Sequence, residues 1–275
     1  MRVEACCQDL LTALLPQADP QRLGLCLDVG VGTFAFYCEQ FAQLGYQTWA
    51  IEPLPVAKLR DLARGPNLKL LELCLSDQDG SQTLYVGSFA GLFNSNFSSL
   101  APGWFGSSGS SRQVMARTLA SLLAAEKPCQ VTCLKLDIEG WEWHVIKQLP
   151  QLDPKYLPKI IMFEYGGGSS KQKSRQGWSR EFYQQTLDCL QILKDCGYGE
   201  SLRVDFAPGS RERFFNLQSL SFLQDGAELF GDNCIYGNII STLDLTLDPA
   251  AIAALCRPHY RVTPVEWLVN WLVSL

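Results

Sequence analysis

Histidine is almost missing from this 275-residue chain, which holds only His144 and His259. Acid–base chemistry therefore falls first to carboxylates. His144 sits among apolar helix neighbours, where a structural role is the expectation. Long apolar runs are missing too. None reaches the ~18 residues that a membrane-spanning helix needs. The eleven cysteines form no C-x-x-C pair; Cys129 and Cys133 stand at i, i+4 and Cys6 and Cys7 are adjacent. Such an odd, scattered set, without a secretory signal, argues against a cysteine metal site. It points to reduced, mostly buried thiols in a cytoplasmic protein. Positive charge is short as well: 23 Lys and Arg against 28 Asp and Glu give a net charge of −5, so no global field attracts nucleic acid. What is present is apolar. With 47% hydrophobic and 19% charged residues the chain can bury a sizeable core, and we expect one domain over residues 1–275.

The most informative stretch is LCLDVGVGTFAF, residues 25–36. Leu25, Leu27 and Val29 form a buried strand. Gly30 and Gly32 permit a tight turn and close backbone approach, and Thr33 is placed to cap the helix that continues from Phe34 to residue 44. A second apolar strand over residues 47–51 ends in Glu52, twenty residues past Gly32. An acid there can accept from both hydroxyls of a ribose, so turn and acid together predict an adenosine cofactor. Gly30-x-Gly32-x-x-Ala35 also satisfies a dinucleotide fingerprint, which keeps NAD open. Asp28, two residues before the first glycine, would repel a pyrophosphate but attract the ammonium of a methionine moiety, favouring S-adenosylmethionine.

Around this unit the pattern is strand and helix in alternation. Residues 4–15 form a helix that stops at Pro16 and covers the sheet, part of an N-terminal covering segment over residues 1–24. A helix over 56–64 precedes a continuous apolar strand over 68–75, whose end places Leu75 and Ser76 at the adenine edge. Residues 82–86 alternate as a short strand. Residues 87–112 are rich in glycine and serine yet hold Phe89, Phe93, Phe97, Trp104 and Phe105, which reads as a substrate-covering lid loop. The strand over 131–136 delivers Asp137-Ile138-Glu139-Gly140 at its carboxyl end, where open α/β sheets bind ligands. The next strand, over 159–163, delivers Glu164. Lys171, Lys173, Arg175 and Arg180 belong to a loop read mainly as solvated. The tail over 244–275 is helical, with Trp267 and Trp271 on one face, packed in the core or forming a homodimer contact.

The ordered segments LDVGVGTFAF, AIEPLP, LSDQDGSQTLYV, NSNFSSL, VMARTLASLL, LKLDIEGWEWHVIKQL and IIMFEY resemble the FkbM-type methyltransferases over roughly residues 25–165. The specific part is D-x-E-G followed by a helix, at the right distance from the Glu52-Pro53 pair. The resemblance implies an α/β fold: a doubly wound, mostly parallel, seven-stranded class I methyltransferase sheet with a reversed last strand. It also implies S-adenosylmethionine as cofactor and methyl transfer to an oxygen. The implied cofactor contacts are Asp28, Gly30, Gly32, Thr33, Phe34, Glu52, Pro53, Leu75, Ser76 and Asp137. The candidate catalytic carboxylates are Asp137, Glu139 and Glu164, since proton removal from a hydroxyl needs a base. One departure stands out: the family usually carries Asp after the Thr118-Leu119 pair, and this chain has Ala120, which reads either as a lost surface bond or as an altered site. Asp137 and Glu164 end adjacent strands, as metal ligands do in related folds, but no third oxygen ligand can be named, and no metal is expected. The acceptor is a small molecule or a glycan. An NAD-dependent oxidoreductase and a non-catalytic protein that retains the fold are the rival readings.

Overall fold

The computed structural model describes residues 1–89, 92–93, 95–102, 104, 107–166, 180–207, 209–221, 229–230, 234 and 236–260. The basic residues 171, 173 and 175 and the tail containing Trp267 and Trp271 lie outside the described residues.

Five strands run parallel through the centre: β1 (Leu25–Val29), β2 (Gln47–Ile51), β3 (Leu68–Leu71), β8 (Val131–Leu136) and β9 (Ile160–Gly166), in the spatial order β9-β8-β1-β2-β3. β1 and β8 are buried along their whole length, as expected of strands covered on both faces. β12 (Tyr236–Thr242) adds antiparallel to β9, and β10 (Glu200–Asp205) antiparallel to β12. These seven strands follow the expected order with the last strand reversed. An eighth, β11 (Arg213–Asn216), extends the β10 edge and was not expected.

Two layers cover the sheet. Helix α1 (Val3–Ala18) lays Leu10, Leu11, Leu14 and Leu15 onto one face. Alongside it pack α2 (Phe36–Gln43) and α7 (Pro249–Cys256). Contrary to the expected stop, α1 continues through Pro16 for two more residues. The N–H that proline lacks would have met Thr12, an exposed residue, so the loss is small. The other face carries α4 (Leu119–Glu126), α5 (Glu142–Ile146) and α6 (Arg180–Asp195), packed through Leu122, Val145 and Leu190.

The apolar run over residues 68–75 is not one strand. It breaks after Leu71, and β4 (Cys74–Ser76) joins a second, four-stranded sheet. That sheet corrects the lid-loop expectation. β5 (Gly80–Phe89) and β7 (Ser107–Thr118) form a long antiparallel ladder with a register shift near Tyr85, and β6 (Leu92–Phe93) folds back on β5. Backbone pairing holds this glycine- and serine-rich segment, which is why side-chain periodicity did not reveal it. Tyr85 and Ser99 exchange backbone bonds of 2.8 and 3.0 Å, and Leu100 and Trp104 are buried, so residues 95–102 and Trp104 are strapped down over the end of the main sheet.

Candidate active site

The chain order reverses at β1, whose neighbours are β2 and β8, and this switch point opens a crevice at the strands' carboxyl ends. A cavity of about 420 Å³ lies there. Gly30, at φ 74°, sits where a Cβ would fall 1.7 Å from the carbonyl oxygen of Asp137, so only glycine lets the ends of β1 and β8 meet. The Asp137 N–H donates to the Val29 carbonyl and the Gly30 N–H to that of Ile51, each at 3.0 Å. Glu52 spans the turn: its Oε2 accepts from the Gly32 N–H at 3.0 Å and its Oε1 from the Leu54 N–H at 2.9 Å. Burial pushes the Glu52 carboxyl above its usual range, against the pull of those two N–H groups.

Thr33 does not cap α2. The helix starts at Phe36, after Ala35 in a left-handed conformation (φ 58°), and no side chain caps it. Thr33 is instead tied to Asn96 of the strap, its N–H donating to Oδ1 at 2.9 Å and its hydroxyl accepting from Nδ2 at 3.2 Å. Of the site residues named from the sequence, Gly30, Gly32, Thr33, Phe34, Glu52, Pro53, Leu75, Asp137, Glu139 and Glu164 all line the cavity. Phe34 and Phe36 stack in parallel, 5.2 Å apart, and both are exposed.

Two expected contacts are corrected. Asp28 does not line the cavity. It is buried beneath it, where Oδ2 accepts from the Cys38 N–H at 2.9 Å and Oδ1 faces Lys135 Nζ at 3.0 Å. Ser76 is also buried away from the cavity, donating to Gln82 Oε1 at 2.9 Å and accepting from Trp141 Nε1 at 3.1 Å. His144 fits its structural expectation: it bonds Asp77 at 2.8 Å, stacks on Trp141 at 3.6 Å and lies outside the cavity lining. Burial lowers its pKa despite the pull of Asp77.

At the other end of the cavity, Asp137, Glu139 and Glu164 each bring a carboxylate oxygen within 4.8 Å of the others. The third oxygen donor that the sequence did not name is thus Glu139. Its backbone is left-handed (φ 54°), its carbonyl accepts from Ser99 Oγ at 2.6 Å, and its carboxylate accepts from Trp104 Nε1 at 2.6 Å. Burial first, and then the charge of Asp137, hold both Glu139 and Glu164 well above the usual carboxylate range. Lys135 extends under this cluster, 3.5 Å from Asp137 and bonded to the Gly30 carbonyl at 3.0 Å. Burial alone would lower its pKa, but Asp28 and Asp137 outweigh that and raise it, so the ammonium stays charged.

Several lining residues escaped the sequence reading: Glu4 of α1, Tyr37, Asn96, Lys135, Trp141 and Tyr236. Lys135 alone gave a signal, a charge inside the apolar run LKLD. Ala120 is exposed on the first turn of α4 and away from the cavity. The end of that helix is served by Asp79, whose Oδ1 accepts from the Thr118 N–H at 2.6 Å and Ser121 Oγ at 2.8 Å.

A mostly parallel sheet with a reversed strand, a glycine turn after β1 and an acid after β2 define a class I methyltransferase fold. The chain matches the Methyltransferase FkbM domain over residues 28–199 and belongs to that family. It is a methyltransferase with S-adenosylmethionine as cofactor, and the nicotinamide alternative falls with that assignment. Among solved structures it is similar to magnesium protoporphyrin IX methyltransferase from Synechocystis PCC 6803 with bound SAM, at 12% identity and a TM-score of 0.33, covering 86% of this chain and 78% of that one. No curated protein sequence matches the chain.

Proposed function

We propose that this protein transfers a methyl group from S-adenosylmethionine to a hydroxyl of a small molecule or glycan. The observation that carries the reading is one cavity with two chemically distinct ends, the glycine turn with Glu52 at one and three carboxylates at the other.

The residues at the first end suit the cofactor. Each Glu52 oxygen already accepts one N–H and keeps a lone pair for a ribose hydroxyl, while those N–H bonds hold the carboxylate in place. Leu75, Pro53 and Ile138 offer apolar surface for a base. When bound, the cofactor supplies an electrophilic methyl on a sulfonium. The protein's own task is then to orient the acceptor oxygen and to remove its proton. Glu139 and Glu164 suit the second task, because a carboxylate raised out of its usual range takes a proton more readily near neutral pH. Asp137 joins the two ends. Its backbone packs against Gly30, and its side chain stands beside Lys135, which balances part of the negative charge.

Isothermal titration with adenosylhomocysteine tests the cofactor end. One equivalent should bind while NAD gives no comparable signal. Glu52→Ala should weaken binding by at least about tenfold, since bonds to a charged acceptor contribute roughly 1.5–3 kcal/mol each. Unchanged affinity in a folded Glu52→Ala protein removes Glu52 from the site.

A further inference from the structure

Three cysteines stand where the first and last described helices meet, and the methyl-transfer reading uses none of them: Cys6 and Cys7 on α1, and Cys256, the last residue of α7. We propose that Cys6 and Cys256 form a reversible disulfide that staples α1 to α7 under oxidising conditions. This inference stands apart from the methyl-transfer reading above.

The two thiols are already in contact, with the Cys6 thiol donating to Cys256 Sγ at 3.4 Å. A disulfide is ~2.05 Å long, so the sulfurs need to close by about 1.4 Å, which lies within reach of the side-chain torsions. The helices are held in place around the pair. The Arg2 N–H donates to the His259 carbonyl at 2.9 Å, His259 Nε2 bonds Asp9 at 2.7 Å, and Leu10 and Ile252 belong to the same apolar cluster as both cysteines. Cys7 is the neighbour of Cys6 but not its rival. One residue along a helix turns the side chain by about 100°, and Cys7 bonds the side chain of Asn238 instead.

Both thiols are 0% exposed. The bond that Cys6 donates, and then burial, push its thiol well above the ordinary range, so the closed fold holds almost no thiolate there. Oxidant and reductant alike must wait for α1 or α7 to open locally. The pair is therefore slow to oxidise and, once joined, slow to reduce. A hydroperoxide suffices as oxidant. One thiolate attacks a peroxide oxygen, the O–O bond breaks, and a sulfenic acid and a water form; the second sulfur then displaces the sulfenic oxygen as water while the S–S bond forms. The thiols lose two electrons, the peroxide gains them, and the two thiol protons pass to the two waters. The crosslink joins residues 250 positions apart, so it removes more freedom from the unfolded chain than a bridge across a short loop. Because α1 also brings Glu4 to the cavity, the staple holds one wall of the site.

The test uses the full chain, purified reduced and then held in hydrogen peroxide. Remaining thiols are alkylated under denaturing conditions, and the digest is read by mass spectrometry. A peptide pair joined through Cys6 and Cys256 should be the main crosslink. The oxidised protein should melt about 5 °C or more above the reduced one and return to the lower value after dithiothreitol in urea. Treated alike, Cys6→Ala and Cys256→Ala should each lose both the crosslink and the rise, while Cys7→Ala keeps them. Should an alanine variant fail to fold, the peptide map of the unmodified chain decides. Absence of the crosslink, a main crosslink through Cys7 or any other cysteine, equal melting of the oxidised and reduced chains, or a rise that survives in Cys6→Ala would overturn the proposal.

Discussion

Glu139 holds a left-handed backbone, which costs a non-glycine residue of order 1–3 kcal/mol, and it does so at the centre of the carboxylate cluster. Ser99 and Trp104 maintain it there through the two bonds to its carbonyl and carboxylate. If Glu139 is the base, Glu139→Gln should lower methyl transfer by about 10²–10⁴-fold with far less change in cofactor affinity. Asp137→Asn should do the same unless Asp137 touches the cofactor, in which case affinity falls with it. The pH profile gives the sign. The base works only when ionised, and its pKa is raised, so the acid limb of kcat/KM should lie above the ordinary carboxylate range. The indole N–H favours the ionised form, so Trp104→Phe should move that limb to still higher pH. A limb that stays put in Trp104→Phe detaches Glu139 from the chemistry. Glu142 offers a separate check on stability. Burial pushes its carboxyl up to about 7 from 4.5, although the Ile138 N–H donates to it at 2.8 Å. Below pH 4.5 its contribution is complete; as pH rises towards about 7 the unfolded chain sheds a proton that the folded one keeps, and stability drains away. Glu142→Gln should therefore unfold later than wild type near pH 8, by about 1–3 kcal/mol in denaturant titrations, and show little gain near pH 4.

Strand β8 brings a charge into the core that β1 helps to balance, since Lys135 and Asp28 stand side by side in the parallel ladder. Lys135→Met should cost about 3–5 kcal/mol of stability, because Asp28 is then buried without its cation. The double change Lys135→Met with Asp28→Asn should recover much of that loss; equal instability of single and double variants would show that the pair is not coupled. This pairing also shows where sequence reading stops. The succession of β1, β2, β8 and β9 is legible because strands covered on both faces carry largely apolar runs ended by glycine or acid. Which way Asp28 faces is not, because a carboxylate at a strand end serves a ligand or a buried lysine equally well until the register is known. β5 and β7 were legible only in part, for another reason. Residues 82–86 alternate, but serine and glycine leave no alternation to read over residues 87–112, and the ladder that orders the pair joins Gln82 to Val114, far apart in the chain. Glu4 was hidden because helical spacing reports which face of α1 is apolar, not where along the sheet the helix docks.

Over the whole molecule, the two ends of the described chain meet. The Arg2 N–H donates to the His259 carbonyl at 2.9 Å, His259 bonds Asp9 at 2.7 Å, and the thiols of Cys6 and Cys256 lie 3.4 Å apart. The seat of α1 is built from Leu202, Val204, Ile240, Leu247 and Ile252 as well as from the central strands. Among the described residues, no helix is long and apolar enough to cross a membrane. This closure has a consequence for biosynthesis. Helix α1 leaves the ribosome before the elements that seat it, and it must wait, its leucines uncovered, until β12 and α7 have been made. At about 5–20 residues per second that delay is roughly ten seconds or more. A nascent chain halted before Tyr236 should expose the leucine face of α1 to proteolysis and to chaperone crosslinking, and release of the remaining residues should end both. Equal protection of α1 in the halted and completed chains would mean that the central strands alone suffice to seat it.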